Sequence, residues 1–217
     1  MKNGTKQAVL FDMDGVIIDS EPLYARVQEA GLRKYGLELQ PADYLRFKGL
    51  SEEAVFDIIE KKYGVVWDRA QVIADSRRLM LAEFQRSLKY MDGFPAILER
   101  LPTGCAHGLV TSTSHDFLDL IDRIIVVKTY FSEIVAGGDV AESKPHPAPY
   151  REMMRRLRVA PERTVVIEDS INGIRSGKAA GAAVIGLSAT YPCRELSEAD
   201  ICVGSLDEIT GEMINDI

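Results

Sequence analysis

Asp12 and Asp14 straddle one methionine, follow the apolar run Ala8-Val-Leu-Phe11 and precede Gly15. A run this short and this rich in β-branched and aromatic residues reads as a strand buried on both faces. A glycine just after it suits a sharp turn, so both carboxylates come at the strand's C-terminal end, the edge where open α/β sheets bind ligands. Alone, Asp-Met-Asp-Gly is an ordinary polar turn. Two further strand-like runs give it company: Cys105–Val110 ends in Thr111-Ser112, and Thr164–Ile167 ends in Glu168-Asp169-Ser170, with Ser143-Lys144-Pro145 upstream. Parallel strands bring all these ends to one edge. Crowded carboxylates repel unless a cation sits among them, and oxygen-only ligands of this kind suit Mg2+. A lysine and backbone N–H groups beside them would hold phosphate oxygens.

The elements that must position these groups follow from periodicity. From Glu21 to Tyr35 the apolar residues keep helical spacing, with Gly36 placed to end the helix. A short helix is expected over 41–47. Ser51 is placed to cap a helix that stops at Gly64, with Glu52 and Glu53 in its first turn and Lys61 and Lys62 in its last. Asp68 with Gln71 resembles a capping box opening a long helix to Leu88. No strand is expected over 20–88. From Met91 onward helices (94–101, 114–127, 150–157, 171–180) alternate with strands (105–110, 134–136, 164–167, 183–187, and 201–203). That alternation implies βαβ units. The fold class expected is α/β: a Rossmann-like core with a parallel sheet, residues 1–19 and 89–217, interrupted by an all-helical unit, residues 20–88.

Composition bounds the function. The chain has 217 residues, 46% of them hydrophobic, and a net charge of -7. No basic tail or run is present, which argues against nucleic-acid and membrane-surface roles. The densest basic stretch, 151–163, sets Arg151, Arg155 and Arg158 opposite Tyr150, Met153, Met154 and Leu157 and reads as a solvated helix face. No apolar stretch is long enough to span a bilayer. Cys105, Cys193 and Cys202 are odd in number and lack the spacing of a disulfide framework or zinc site, so a reducing cytoplasm is the expected compartment. His107, His115 and His146 show no metal-ligand arrangement, and Trp67 reads as packing.

Four motifs in order, Asp12-Met-Asp14-Gly15-Val16, Thr111, Lys144-Pro145 and Glu168-Asp169 followed by Ser170-Ile-Asn-Gly-Ile174, make the chain resemble the haloacid dehalogenase superfamily of phosphohydrolases. The resemblance implies that Asp12 is the nucleophile that takes the phosphoryl group, and that Asp14 protonates the leaving oxygen and then accepts a proton from water. It implies that Thr111 and Lys144 hold phosphoryl oxygens, with Ser112 beside them. Magnesium would be bound by Asp12, Asp169 and the main-chain carbonyl of Asp14, with Glu168 in or just outside the same shell.

The dehalogenases of the superfamily generally lack the second aspartate, so Asp14 favours phosphoryl transfer. The position of the insertion resembles the subgroup with a helical cap, which includes sugar-phosphate and phosphoglycolate phosphatases and β-phosphoglucomutase. Phe47-Lys48-Gly49-Leu50-Ser51-Glu52 resembles that subgroup's cap loop, making Lys48, Gly49, Arg46 and Tyr24 candidates for substrate contact. β-Phosphoglucomutase carries an arginine where Glu52 stands and a histidine where Tyr24 stands. A bisphosphate needs cations, so hydrolysis of a small phosphomonoester, a sugar phosphate first, is expected over a mutase or a non-catalytic binding protein. Ser20 is expected to cap the first helix or, with Asp19, to serve the cap hinge.

Overall fold

The computed structural model describes residues 5–40, 43, 46–47 and 50–217. Its centre is a six-stranded parallel sheet in the order β3-β2-β1-β4-β5-β6. The strands are β1 (Ala8–Phe11), β2 (Ala106–Ser114), β3 (Glu133–Gly137), β4 (Thr164–Glu168), β5 (Ala183–Leu187) and β6 (Ile201–Val203). Phe11 lies level with Leu109 on one side and Ile167 on the other. The residues that follow each of them therefore emerge together at one edge.

Period-two alternation sorts the strand residues between two cores. Val9, Phe11, Leu109, Val165 and Ile167 pack on one face with helix α4 (His115–Asp122) and the C-terminal helix α7 (Gly211–Asp216), through Phe117, Ile121 and Ile214. Ala8, Leu10, Val110, Val166 and Val184 pack on the other with α5 (Ala148–Leu157) and α6 (Ile171–Ala180), through Tyr150, Met153 and Ile174. Among the described residues the insertion between β1 and β2 carries three long helices, α1 (Glu21–Arg33), α2 (Glu52–Tyr63) and α3 (Arg69–Ser87). At their roots, Leu23 and Val27 of α1 and Met80 and Phe84 of α3 belong to the first core, which takes no described residue of α2. Their far ends form a separate cluster of Leu32, Leu37, Leu39, Phe56, Ile59 and Val72. The Asp68 side chain accepts from Gln71 N and the Ser51 side chain from Ala54 N, so both anticipated caps form, and Gly64 closes α2 in the left-handed conformation. Trp67 packs against Tyr35 and Phe56 and donates to Glu60.

Some expectations fail for identifiable reasons. The helix expected over 114–127 stops at Asp122, because the Asp122 carboxylate accepts from Val127 N at 2.7 Å and Lys128 N at 2.8 Å and turns the chain. The helix expected over 94–101 is a tighter 3-10 turn, Ala96–Arg100. Of the helix expected over 41–47, residues 41, 42, 44 and 45 lie outside the described residues.

Cys193 and Cys202 are joined by a disulfide, against the expectation of free thiols. Cys202 pairs with Gly186 in the sheet, and the loop after β5 returns over that strand, leaving the two Cα atoms 5.7 Å apart. A reducing compartment thereby loses the cysteine argument for it. Among the described residues no helix is long and apolar enough to cross a membrane.

Candidate active site

The last residue of β1 hands the chain to Asp12, whose N–H still donates to Ile167 O at 3.1 Å, as a sheet residue would. The chain then folds sharply: Gly15 N donates to Ile18 O and Ile17 N to Met13 O. Gly15 has φ +76°, and a Cβ on it would stand 2.2 Å from Asp169 Oδ2. Only glycine meets both conditions, so this residue lets the first motif close on the last.

Lys144 is almost wholly buried, and its three ammonium hydrogens are all taken. They go to Asp12 Oδ1 at 2.5 Å, Glu168 Oε1 at 2.6 Å and Val110 O at 3.1 Å. Burial alone would lower the Lys144 pKa, but the charges of Asp12 and Glu168 reverse this and hold the ammonium protonated. Burial pushes the Asp12 carboxyl well above its ordinary range, Lys144 opposing and Glu168 and Asp14 adding to the rise. Asp169 is likewise raised by burial, then by Glu168 and Asp12. The site therefore carries more buried negative charge than its one lysine offsets, which is the condition for binding a cation.

Asp12, Glu168 and Asp169 each offer a carboxylate oxygen within 4.8 Å of the others, a buried acidic cluster consistent with a metal site. Their capacities differ. Glu168 accepts from Lys144 and from the Tyr150 hydroxyl at 2.9 Å on Oε1, and from Ser170 N at 3.1 Å and Ser170 Oγ at 3.0 Å on Oε2. A carboxylate has about four lone-pair sites, and these four donors use them. Asp12 and Asp169 retain more capacity, Asp169 Oδ2 accepting from Thr190. At Gly173 a Cβ would stand 1.7 Å from Glu168 Oε1, so the first turn of α6 closes over that carboxylate only as glycine.

Asp14 is set apart from the cluster. Ser20 Oγ donates to its Oδ1 at 2.6 Å, and Thr113 Oγ1 approaches its Oδ2 at 3.5 Å. Burial lifts its carboxyl to about 6 against the Ser20 bond, with Glu21 adding to the rise. Ser20 does stand at the N-cap of α1, but its side chain makes no cap and serves Asp14 instead. Asp19 N bonds to Lys89 O where the insertion leaves and rejoins the sheet.

A cavity of about 650 Å³ opens above these groups. Asp12, Asp14, Asp169, Thr111 and Ser112 lie at its base on the sheet edge, and Tyr24, Arg77 and Met80 of the insertion and Phe117 of α4 also line it. Thr111 Oγ1 accepts from Thr113 N at 3.1 Å. Tyr24, anticipated as a substrate contact, does line the cavity; Arg46 is exposed; Lys48 and Gly49 lie outside the described residues, as does the side chain of Glu52. His115 Nε2 lies 2.7 Å from Asp139 Oδ1.

Sequence reading missed Thr113, Thr190, Tyr150 and Arg77. Thr113 is two residues past Thr111 and could have been found by letting the strand run on. Thr190 and Tyr150 lie far along the chain from the carboxylates they bond, and no spacing signals them. Arg77 Nη2 donates to Ser114 Oγ at 3.3 Å, joining the insertion to the sheet edge, yet in the sequence it is one arginine among many on helix α3.

The chain is 29% identical to a phosphoglycolate phosphatase of Salmonella typhi, an alignment covering 94% of this chain and 90% of that one. It is 32% identical to a phosphorylated carbohydrates phosphatase of Thermotoga maritima, over 81% of this chain and 82% of the other. The crystal structure of CbbY from Rhodobacter sphaeroides in complex with phosphate superposes with a TM-score of 0.83 at 24% identity, covering 98% of this chain and all of that one, a likeness of fold. The family model for haloacid dehalogenase-like hydrolases matches residues 9–187. That match runs from the first strand to the end of the fifth and takes in every group at the base of the cavity, and the chain belongs to the haloacid dehalogenase-like hydrolases, an enzyme of that family.

Proposed function

We propose that this enzyme is a magnesium-dependent phosphatase that hydrolyses a small phosphomonoester, in the first instance a sugar phosphate, through an aspartyl-phosphate on Asp12. The observation that carries the reading is the contact of Lys144 Nζ with Asp12 Oδ1 at 2.5 Å, below a cavity that Asp14, Thr111 and Ser112 also line. The two relatives named for their substrates act on phosphoglycolate and on phosphorylated carbohydrates, which supports a small phosphorylated substrate.

The residues divide the work. Asp12 attacks phosphorus, splitting one difficult displacement into two easier ones. Lys144 offsets negative charge on Asp12 as the phosphoryl group arrives, and Thr111 and Ser112 border the space its oxygens enter. Asp14, held by Ser20, gives a proton to the leaving oxygen and later takes one from the attacking water. Asp12, Asp169 and the Asp14 carbonyl would hold the magnesium, with Glu168 just outside. Magnesium when bound neutralises charge on the phosphoryl oxygens. The helical insertion, residues 20–88, serves as the cap, with Tyr24 above the site and Arg77 bridging to Ser114; its closure excludes water and reads the leaving group.

The test is inorganic phosphate release from a panel of sugar phosphates, phosphoglycolate and nucleoside monophosphates, with magnesium or chelator, for the native chain and Asp12→Asn. Release that needs both magnesium and Asp12 is the expected result. Interconversion of hexose phosphates without phosphate release would sink the hydrolase reading in favour of a mutase.

A further inference from the structure

Under the sheet edge a chain of buried hydrogen bonds leads away from the cavity. Asp12 Oδ1 accepts from Lys144 Nζ at 2.5 Å, Lys144 Nζ donates also to Glu168 Oε1 at 2.6 Å, and the same oxygen accepts from Tyr150 Oη at 2.9 Å. Tyr150 is fully buried on α5, packed in the second core among apolar residues that include Leu10, Val110 and Val166. A phenol placed there needs a partner, and the Glu168 carboxylate supplies it. Its ring also lies 5.0 Å from Lys144 Nζ.

We infer that Tyr150 is a positioning residue for Asp12: its hydroxyl, by donating to Glu168 Oε1, holds that carboxylate in the orientation that aims Lys144 at the nucleophile. Val110 O and Glu168 Oε1 take two of the three Lys144 hydrogens and so fix the direction of the third, which points at Asp12 as long as Glu168 keeps its place. Glu168 in turn is held on Oε2 by Ser170, so removing the phenol frees one side of a two-sided clamp. Members of such buried networks act together, and the loss of one is felt at the far end. The inference rests on the phosphatase reading, with Asp12 as nucleophile.

Tyr150→Phe keeps the ring, its packing and its approach to Lys144, and removes the hydroxyl alone. A buried hydrogen bond to a charged acceptor is strong enough that kcat should fall about tenfold. Tyr150 does not touch the cavity, so KM for the best substrate should change less than about twofold. A second readout does not depend on turnover: magnesium-dependent binding of beryllium fluoride, a mimic of the phosphoryl group on Asp12, followed by fluorine NMR. It should weaken by a similar factor. Thermal unfolding of Tyr150→Phe checks that the variant is folded; Tyr150→Leu carries the same expectation and replaces it if it is not. A folded variant with native kcat and native beryllium fluoride affinity overturns the inference, as does an effect confined to the melting temperature. A native chain that neither releases phosphate nor binds beryllium fluoride overturns the phosphatase reading, and the inference with it, so the two failures are told apart.

Discussion

The sheet edge and the helical insertion both pair lysine or arginine with acids, and they do so under opposite conditions. At the edge, the side chains of Lys144, Asp12 and Glu168 are 1%, 12% and 0% exposed. In the insertion, Arg69 reaches Glu60 and Asp57, and Lys62 reaches Asp43, with the cations 39% and 43% exposed. Water screens the Arg69 pairs, so those add little and tolerate exchange, while in the Lys62 pair only the cation is exposed and Asp43 is buried. The first set has given up its hydration and stands only because each charge is answered by fixed donors. The fold therefore concentrates its electrostatic cost at the sheet edge and carries less of it in the insertion.

The largest effect that would test this contrast comes from Lys144→Ala. Removing the cation strands Glu168 and Asp12 as buried like charges, and urea unfolding should show a loss of about 3–5 kcal/mol, with phosphate release reduced to background. A loss no larger than that of a surface pair would break the comparison.

The next effect concerns the acid excess. Burial raises the Asp12 and Asp169 carboxyls, so in the metal-free fold they bind protons more tightly than in the unfolded chain. Their contribution to stability is thus full below the unfolded carboxylate range and is lost as pH rises through the folded values. Magnesium competes with those protons. Its addition should raise the melting temperature more at about pH 7.5 than at about pH 5.5, and Asp169→Asn should remove most of that rise. An equal rise at both values would show that the cluster is not where the cation binds.

The smallest effect belongs to the insertion. Arg69→Ala breaks contacts with two acids, yet scanning calorimetry should show a shift of no more than about 2 °C and phosphate release should keep its native rate. A large loss there would mean that the exposed pairs of the insertion carry more than their solvation allows.

Local chemistry made much of the fold legible. Ser51, Gly64 and Asp68 mark helix ends through bonds to residues no more than four positions away, and the alternation of apolar runs marks the strands. The helix that stops early at Asp122 does so for a carboxylate turned back on Val127 and Lys128, an arrangement that helical periodicity does not register. The Cys193–Cys202 pair depends on the loop after β5 returning across the sheet, and cysteine spacing carries no sign of that.

From the sequence alone came the identity of Asp12, Asp14, Thr111, Lys144, Glu168 and Asp169 and their arrival at one edge, because a parallel sheet puts every strand end of one sense on the same side. Tertiary structure alone decided how those groups share their bonds. It gave Glu168 to Lys144 and Tyr150, gave Asp14 to Ser20, and bonded Thr190 to Asp169. The physical reason is that spacing governs which residues reach an edge, whereas each hydrogen bond there joins groups from distant parts of the chain, and only packing fixes which donor meets which acceptor.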